Sequence, residues 1–312
     1  MKIRSHLLEI NCKLHTRIFG IKINFQMKLK SSLPILIVLM IVFSCKKDDD
    51  NTIPHDPIAQ AVTDDERLVA YLQTHYYKPA EQDEHFGTVD TIMNDETPLM
   101  DIVETQEVTH NDIKYKLYRY IHEIGVGENP TRFDSVFVKY KGFTLDSIRF
   151  DERASNIWLH FAGSFDYTRR VVSGNGVIQG WKSGFPYFAS GTNISQPGEP
   201  IKFTDTGKGL LFIPSGLAYG NIGNSGISPN EPLFFHVELS LVEAADYDND
   251  TILNKDEDLD DDGEVVNDDT DKDGIPDFAD ADDDNDGTLT KDEEVGDADN
   301  DGVPNYLDAD TK

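Results

Sequence analysis

The sequence has little cysteine and little positive charge, and each shortage excludes a class of protein. Only 2 of the 312 residues are cysteine, which is too few for a small scaffold held together by disulfides. The 28 lysines and arginines are outnumbered by 58 aspartates and glutamates, so the formal net charge is −30. No basic stripe is available to neutralise phosphates, and we therefore expect no nucleic acid partner.

The acidic residues are concentrated at one end of the chain. Residues 246–312 contain 28 acidic residues, four lysines and no arginine. The rest of the chain contains 30 acidic and 24 basic residues, which is an ordinary balance. This abrupt change in composition predicts at least two structural units, a mildly acidic body and a strongly acidic tail.

Near the N-terminus, an apolar run is too short to cross a membrane. Lys28 and Lys30 precede the uncharged run from Leu33 to Phe43, and Ser44 and Cys45 follow it. A spanning helix needs about 20 apolar residues, whereas the core of a signal peptide is shorter. The ending "VFSC" resembles the bacterial lipobox, whose cysteine becomes the acylated first residue of the mature protein.

This resemblance implies a lipoprotein of the bacterial cell envelope. We interpret residues 27–44 as the signal peptide, residues 1–26 as an extension upstream of the true start, and Cys45 as the lipidation site that anchors the protein in the membrane. The following "KKDDD" resembles an export tag of Bacteroidetes lipoproteins. It favours an outer-membrane location, periplasmic or surface-exposed. The alternatives are a short buried strand for the apolar run and a solvated tether for "KKDDD".

Local patterns in the next part of the chain are weaker. Residues 45–62 are rich in Asp, Asn and Pro, which predicts a flexible linker. Residues 63–113 are predicted to be a helical or irregular segment. Its helix is expected to begin at a capping box formed by Thr63 and Glu66, because apolar residues on one helical face follow that pair.

Alternating apolar and polar residues then predict strands. In "DSVFVKYKGFTL", Val136, Val138 and Tyr140 fall on one face, and Phe137 and Lys139 fall on the other. Similar patterns occur in "YKLYRYIHE" and "LFFHVELSLVE", with loops rich in Gly, Asn, Ser and Pro between them. These patterns predict a mostly antiparallel sheet with few helices.

A series of motifs is more informative than any single strand. "GVGENP", "VKYKGF", "RFD", "GVIQGW", "IPSGLAYGNIG", "GISPN" and "LFFHVELSLVE" follow one another between residues 114 and 245. Their order and spacing resemble those of the FKBP-type peptidyl-prolyl cis-trans isomerases. The resemblance implies an α+β fold in which an antiparallel β half-barrel wraps around one short helix. It also implies an enzyme that accelerates X–Pro rotation in proline-containing polypeptides, without a cofactor for catalysis.

The resemblance also implies which residues line the apolar cleft between helix and sheet. They are Tyr140, Phe150, Asp151, Val177, Ile178, Trp181, Tyr219, Ile227 and Phe235. Trp181 corresponds to the floor of the cleft, the backbone N–H of Ile178 to the donor that binds the substrate carbonyl, and Tyr219 to a loop residue that reaches the ligand. Three residues compete for one further aromatic position, namely Trp158, Phe165 and Tyr167.

The chain also departs from the family pattern in several places. Asn224 stands where many relatives have histidine, and Pro186 is expected to end the central helix early. Two connecting segments are longer than usual. These departures keep a second hypothesis open, in which the domain is a non-catalytic surface module or adhesin that binds proline-containing segments and is made rigid by calcium.

The acidic tail, residues 246–312, is periodic. Residues 246–257 and 282–293 resemble EF-hand loops, residues 269–280 and 297–308 resemble thrombospondin type-3 repeats, and residues 258–269 form a fifth, less regular copy. Acids at positions 1, 3 and 5 converge on one cation, glycine at position 6 permits the turn, and an acid at position 12 closes the shell. The alternative is a disordered acidic tail.

We therefore predict Ca²⁺ as a structural ion. The predicted ligands are Asp246, Asp248, Asp250 and Glu257 in the first loop, Asp258, Asp260, Asp262 and Asp269 in the second, Asp269, Asp271, Asp273 and Asp280 in the third, Asp282, Asp284, Asp286 and Glu293 in the fourth, and Asp297, Asp299, Asp301 and Asp308 in the fifth. The first loop has Thr251 instead of glycine at position 6, which is expected to weaken it.

Overall fold

The computed structural model describes residues 17–18, 21–22, 55–81, 85–169, 171–173 and 177–311. The chain divides into two units, Met1–Pro54 and His55–Lys312. In the first unit, strands β1 (Arg17–Ile18) and β2 (Ile21–Lys22) pair antiparallel. The predicted signal peptide and Cys45 lie outside the described residues. None of the described helices is both long enough and apolar enough to span a membrane.

The second unit is built around a six-stranded antiparallel sheet. In chain order its elements are α1 (Pro57–Thr74), β3 (His75–Lys78), β4 (Thr88–Thr91), β5 (Glu104–His110), β6 (Ile113–Glu123), β7 (Ser135–Thr144), β8 (Arg149–His160), β9 (Ser164–Asp166), β10 (Val171–Ser173), α2 (Gln179–Gly184), β11 (Thr192–Asn193), β12 (Phe203–Thr204), β13 (Gly207–Ile213) and β14 (Leu233–Glu243). The strand order is β5-β6-β13-β14-β7-β8, with every neighbouring pair antiparallel. The predicted α+β class with an antiparallel sheet is confirmed.

The two central strands, β13 and β14, are buried on both faces. Because side chains alternate along a strand, Leu211 and Phe235 pack into the cluster that contains α2, whereas Leu210 and Phe234 pack into a second cluster that contains α1. This double burial explains the continuous apolar runs 210–213 in β13 and 233–235 in β14. A strand with one wet face would alternate apolar and polar residues.

Helix α1 begins earlier than the sequence pattern suggested. Asp56 caps its N-terminus, with Oδ1 accepting hydrogen bonds from the backbone N–H groups of Ile58 and Ala59 at 3.0 and 3.1 Å. Thr63 lies inside the helix, where its hydroxyl donates to the carbonyl of Ala59. The predicted capping box at Thr63 was therefore wrong, because Asp56 followed by Pro57 is the stronger start signal. The helix also takes up the last part of the predicted linker.

Strand β7 follows the predicted alternation. Val136 and Val138 are fully buried and Tyr140 nearly so. Gly142, further along the strand, leaves room for the aromatic rings beside it. A Cβ atom there would lie 2.6 Å from the Phe150 ring and 2.7 Å from the Phe235 ring. A larger residue at this position would therefore push apart two rings of the predicted cleft.

Helix α2 is short and lies close against the sheet. A Cβ atom at Gly180 would lie 2.3 Å from the side chain of Ile213 on β13, so only glycine permits this approach. The helix passes into a 3₁₀ turn that contains Pro186. The prediction that this proline ends the helix early is confirmed.

The acidic tail is a row of loops with a common backbone geometry. In four of them the residue at position 9 donates its N–H to the carbonyl just before the loop and accepts the position-2 N–H with its side chain. These position-9 residues are Asn254, Asp277, Thr290 and Asn305. Position 6 has a positive φ in all five loops, including 87° at Thr251. A non-glycine residue in this conformation is strained, as the sequence led us to expect.

The tail packs on the sheet domain through its own small apolar core. Phe133, Ala162 and Phe165 of the domain join Val265, Phe278 and Ala279 of the tail in this cluster. The hydroxyl of Tyr167 also donates to the Ala279 carbonyl at 2.7 Å. The tail is therefore a packed part of the second unit.

Candidate functional site

The apolar residues predicted to line the cleft lie in one cluster between α2 and the sheet. Four of them are buried, namely Tyr140, Trp181, Ile227 and Phe235. The other four are half-buried, namely Phe150, Val177, Ile178 and Tyr219. A buried floor with a half-exposed rim is the arrangement expected of a ligand cleft.

The rings meet edge to face around Trp181. Its indole lies 4.9 Å from the Tyr140 ring and 5.1 Å from the Phe235 ring, measured between centroids, with interplanar angles of 85° and 86°. Phe150 packs on Phe235 at 5.6 Å and 88°. Perpendicular packing of this kind is favourable for aromatic quadrupoles and fixes each ring in place.

Asp151 lies at the polar edge of the cleft. It accepts a hydrogen bond from the Tyr140 hydroxyl at 2.6 Å, and its other oxygen accepts the backbone N–H of Glu152 at 2.8 Å. Burial, and then the hydrogen bond to Asp151, raise the pKa of Tyr140 well above its usual value. The phenol is therefore neutral at physiological pH and serves as a fixed donor.

The backbone of Ile178 begins the central helix. Its carbonyl accepts the N–H of Trp181 at 2.9 Å, and its own φ and ψ are extended at −62° and 147°. Within the part of the chain that the structure describes, the Ile178 N–H has no hydrogen-bond acceptor. It can therefore donate to a carbonyl entering the cleft, as the resemblance implied.

The loop that carries Tyr219 and Ile227 is closed by its own backbone. Asn224 and Ile227 exchange two hydrogen bonds, at 3.1 and 2.8 Å, and the N–H of Asn230 donates to the carbonyl of Gly220. The side chain of Asn224, the position named above as a departure from the family pattern, accepts the N–H of Ser225 at 2.7 Å. The substitution at Asn224 thus supports the turn of this loop.

Helix α1 holds the same loop at both ends, which the sequence did not reveal. Asp64 accepts hydrogen bonds from the backbone N–H and the hydroxyl of Ser215. Arg67 donates through Nη1 to the Asn230 carbonyl, and its Nη2 donates to both carboxylate oxygens of Glu231 at 2.9 and 3.0 Å. No local pattern could have shown this, because the partners lie far apart in the chain.

The three candidates for the remaining cleft aromatic lie elsewhere. Phe165 and Tyr167 contact the tail, as described above, and Trp158 packs on Phe137 at 5.0 Å with 38% of its surface exposed. Aliphatic side chains of β8, Ile157 and Leu159, pack against the cleft cluster. A tryptophan on the outer side of β8 is therefore unrelated to the cleft.

The acidic repeats bring carboxylates together in five clusters. Four contain the predicted residues at positions 1, 3 and 5, namely Asp258, Asp260 and Asp262; Asp269, Asp271 and Asp273; Asp282, Asp284 and Asp286; and Asp297, Asp299 and Asp301. The fifth contains Asp248, Asp250 and Glu257 of the first loop together with Asp283. In each cluster one oxygen per residue lies within 4.8 Å of the others.

Some predicted ligands lie outside these clusters. Asp246 instead accepts the backbone N–H of Asp250 at 3.2 Å. Of the predicted position-12 acids, Glu257 joins its cluster, whereas Asp280, Glu293 and Asp308 do not. In the second loop, Asp268 lies outside the cluster, and burial and then the charges of Asp260 and Asp258 raise its pKa to about 6.

The chemistry of these clusters fits a divalent cation. Burial, and then the charges of Asp248 and Asp250, raise the pKa of Glu257 to about 10. Burial, and then the charge of Asp277, raise the pKa of Asp283 to about 9. Buried carboxylates this close together are unfavourable as bare anions, and oxygen-only ligand sets suit hard cations such as Ca²⁺.

One acidic residue of the tail reaches the central helix of the cleft. Glu264, in the second loop, accepts a hydrogen bond from Gln179 at 2.9 Å and pairs with Lys182 at 3.6 Å and with Arg132 at 3.7 Å. Lys182 is buried and follows Trp181 directly on α2. The tail therefore neutralises a buried charge on the helix that forms the cleft floor.

An antiparallel sheet that packs against one short helix through a cluster of aromatic residues is the arrangement that the resemblance implied. Residues 127–240 match the family model of the FKBP-type peptidyl-prolyl cis-trans isomerases. This part of the chain is therefore similar to FKBP-type peptidyl-prolyl cis-trans isomerase domains.

Individual relatives agree with this assignment over the same part of the chain. The FKBP-type peptidyl-prolyl cis-trans isomerase FkpA of Escherichia coli K12 is 36% identical over 126 residues, which are 39% of this chain and 36% of the relative. FkpA of Aeromonas hydrophila is 32% identical over 143 residues, which are 45% of this chain and 42% of the relative. The chain thus spans less than half the length of these curated relatives.

Solved structures were also compared with the whole chain. The crystal structure of Escherichia coli FkpA aligns with 33% identity and a TM-score of 0.31, over 41% of this chain and 48% of that one. A peptidyl-prolyl cis-trans isomerase from Pseudomonas syringae pv. tomato aligns with 19% identity and a TM-score of 0.35, over 61% of this chain and 97% of that one.

Proposed function

We propose that the protein accelerates cis-trans isomerisation of X–Pro bonds in unfolded or surface polypeptides of the bacterial envelope. In this proposal it is anchored through a lipid on Cys45, at the outer membrane, and its acidic repeats bind Ca²⁺. Proline-containing polypeptides are the substrates. The observation that supports this proposal most strongly is that Tyr140, Trp181, Tyr219 and Phe235 pack in one cluster with Ile178, whose backbone N–H has no acceptor among the described residues.

Isomerisation of an X–Pro bond requires few protein groups beyond this arrangement. Rotation about a peptide bond costs about 18–20 kcal/mol because the amide loses resonance. In the twisted state the carbonyl is less polar and the proline nitrogen is pyramidal. A dry aromatic cleft therefore favours it over the planar, solvated ground state. Fixed donors such as the Ile178 N–H hold the ends of the substrate, and no nucleophile is required.

An isomerase assay on the intact protein tests this proposal. The substrate is an Xaa-Pro peptide, followed by NMR exchange or by coupled proteolysis of the trans form. We expect Tyr219→Phe to lower kcat/KM, and Tyr187→Phe, which changes an exposed tyrosine outside the cleft, to leave it unchanged. Peptide binding without any acceleration would instead favour the non-catalytic binding module.

The proposed calcium role is supported by the five carboxylate clusters and the positive φ at position 6 of every loop. Without cations the repulsion among these acids opposes the folded tail, and ion binding adds its free energy to folding. We expect Ca²⁺ to raise the unfolding temperature of the tail and EDTA to lower it, as measured by calorimetry. An unfolding profile that is the same in Ca²⁺ and in EDTA would contradict this role.

Anchoring and location are tested separately. Metabolic labelling with a radioactive fatty acid is expected to label the wild-type protein and to leave Cys45→Ala unlabelled. Protease treatment of intact cells then distinguishes the surface-exposed from the periplasmic face. Wild-type protein without label would overturn the lipoprotein proposal and leave the isomerase proposal intact.

A further inference from the structure

One carboxylate cluster in the tail combines residues from two separate repeats. Asp248, Asp250 and Glu257 belong to the first repeat, whereas Asp283 belongs to the fourth, and one oxygen from each lies within 4.8 Å of the others. Each of the other four clusters contains residues of a single loop.

Asp283 is not part of the carboxylate cluster of its own loop, the fourth. Asp282 and Asp284, on either side of it, join the cluster of the fourth loop. Asp283 instead brings a carboxylate oxygen within 4.8 Å of those of Asp248, Asp250 and Glu257, so its side chain lies toward the first repeat. Its backbone N–H is held by the hydroxyl of Thr290 at 3.2 Å, which fixes the position of the residue.

Three of the four carboxylates are buried, and all four have oxygens without a hydrogen-bond partner. Asp250, Glu257 and Asp283 are 0%, 1% and 2% exposed. Six of the buried oxygens have no hydrogen-bond partner within the described residues, namely Asp248 Oδ2, Asp250 Oδ2, both Glu257 oxygens and both Asp283 oxygens. The ion pairs that described basic side chains form with the tail go to other acids, Asp256 and Glu264.

Such a group needs a positive charge at its centre. Burying an unpaired carboxylate costs several kcal/mol, and the six oxygens named above have no hydrogen-bond partner among the described residues to offset it. One oxygen from each of the four residues converges, and bidentate carboxylates can bring such a set toward the usual Ca²⁺ coordination number of about 6–8. Mg²⁺ usually keeps several of its waters and suits an enclosed all-protein set less well.

We propose that Asp248, Asp250, Glu257 and Asp283 form a single buried Ca²⁺ site shared by the first and fourth repeats. This inference rests on the proposed calcium role of the tail and specifies one of its sites. The shared ion ties the segment that follows β14 to a much later repeat and so closes the row of loops on itself. The single-loop clusters include exposed acids such as Asp260 and Asp299 and have no such cross-linking role.

The test is a count of bound ions in variants of the full chain. The purified protein is saturated with Ca²⁺, desalted into metal-free buffer and analysed by atomic absorption, with affinities from isothermal titration. Asp250→Asn and Asp283→Asn change opposite ends of the proposed site. Asp299→Asn is the matched control, because it changes the cluster of the fifth loop alone. Asp283→Ala is a second variant that removes the ligand oxygen completely.

If the two repeats share one site, the losses of bound Ca²⁺ in the single and double variants should be strongly non-additive. Asp250→Asn and Asp283→Asn should each lose one ion, and the double variant should also lose only one. The Asp283→Asn/Asp299→Asn pair should lose two. If Asp283→Asn and Asp283→Ala keep every ion, or if the Asp250/Asp283 double variant loses two, the shared site is overturned while the calcium role stands. A wild-type protein that binds no Ca²⁺ overturns both.

Discussion

Asp64 on α1 accepts two hydrogen bonds from Ser215, which precedes the loop that carries Tyr219. The backbone N–H donates at 2.7 Å and the hydroxyl at 2.6 Å, and the carboxylate is completely buried. Ser215 lies inside the family match, residues 127–240, whereas Asp64 lies outside it. The geometry of the cleft therefore depends on a helix that the isomerase family match does not include.

This contact predicts a joint loss of stability and activity in Asp64→Ala. The substitution leaves two buried donors of Ser215 unpaired, which should lower the free energy of unfolding by about 1–3 kcal/mol. Because Tyr219 is then held less firmly, kcat/KM should fall as well. Urea denaturation and the isomerase assay measure the two effects. Glu66→Ala, at an exposed position of the same helix, is the control, and equal isomerase rates in both variants would contradict the positioning role.

The burial of His236 predicts that the folded protein loses stability as the pH falls. Burial, and then the charge of Lys141, lower its pKa from 6.5 to about 3, and its ring lies against Phe86, Phe143 and Phe234. Between these pH values the unfolded chain binds a proton that the folded protein does not. The free energy of unfolding should therefore fall as the pH falls from 6.5, by about 1.4 kcal/mol per pH unit from this group.

The prediction is checked by denaturation at several pH values in saturating Ca²⁺. His236→Leu keeps an apolar side chain of similar size in the core and should show a shallower loss of stability below pH 6.5 than the wild type. His122→Leu, at an exposed position, should keep the wild-type slope. A His236→Leu slope identical to that of the wild type would show that other groups cause the acid sensitivity.

The ion pair between Glu264 of the tail and Lys182 of α2 predicts that a substitution in the tail destabilises the protein. Glu264→Gln leaves the buried ammonium of Lys182 without its carboxylate partner, and an unpaired buried charge is destabilising. Because Glu264 is partly exposed, we expect a loss of about 1–3 kcal/mol in unfolding free energy. Chemical denaturation in Ca²⁺ measures it, with Glu294→Gln as the exposed control. Equal free energies of unfolding in the two variants would mean that water already screens the ion pair between Glu264 and Lys182.

The cleft could be predicted from sequence because its residues occur in short, specific motifs. "VIQGW" placed Val177, Ile178 and Trp181, and "LAYG" placed Tyr219, and the structure brings them to one cluster. The alternation in β7 likewise gave the buried face of Val136, Val138 and Tyr140. In each case the information was local, either in a strand period or in a motif of a few residues.

The contacts that sequence analysis missed are long-range. Asp64 lies beside Thr63, at which the sequence predicted the helix start, and nothing near Asp64 in sequence points to Ser215. Asp283 falls at position 2 of its loop, a position that the calcium-loop pattern leaves unspecified. Its neighbours in the structure come from another repeat, so only the packing of one loop on another could reveal its place.

The two tryptophans allow the most direct test of the central claim, that the aromatic cleft favours a twisted prolyl amide. Trp181 forms the cleft floor, and Trp158 packs on Phe137 outside it. We expect Trp181→Leu to lower kcat/KM for an Xaa-Pro peptide by about tenfold or more, equivalent to about 1.4 kcal/mol of transition-state stabilisation, and Trp158→Leu to keep the wild-type rate. Equal rates in the two folded variants would contradict the account.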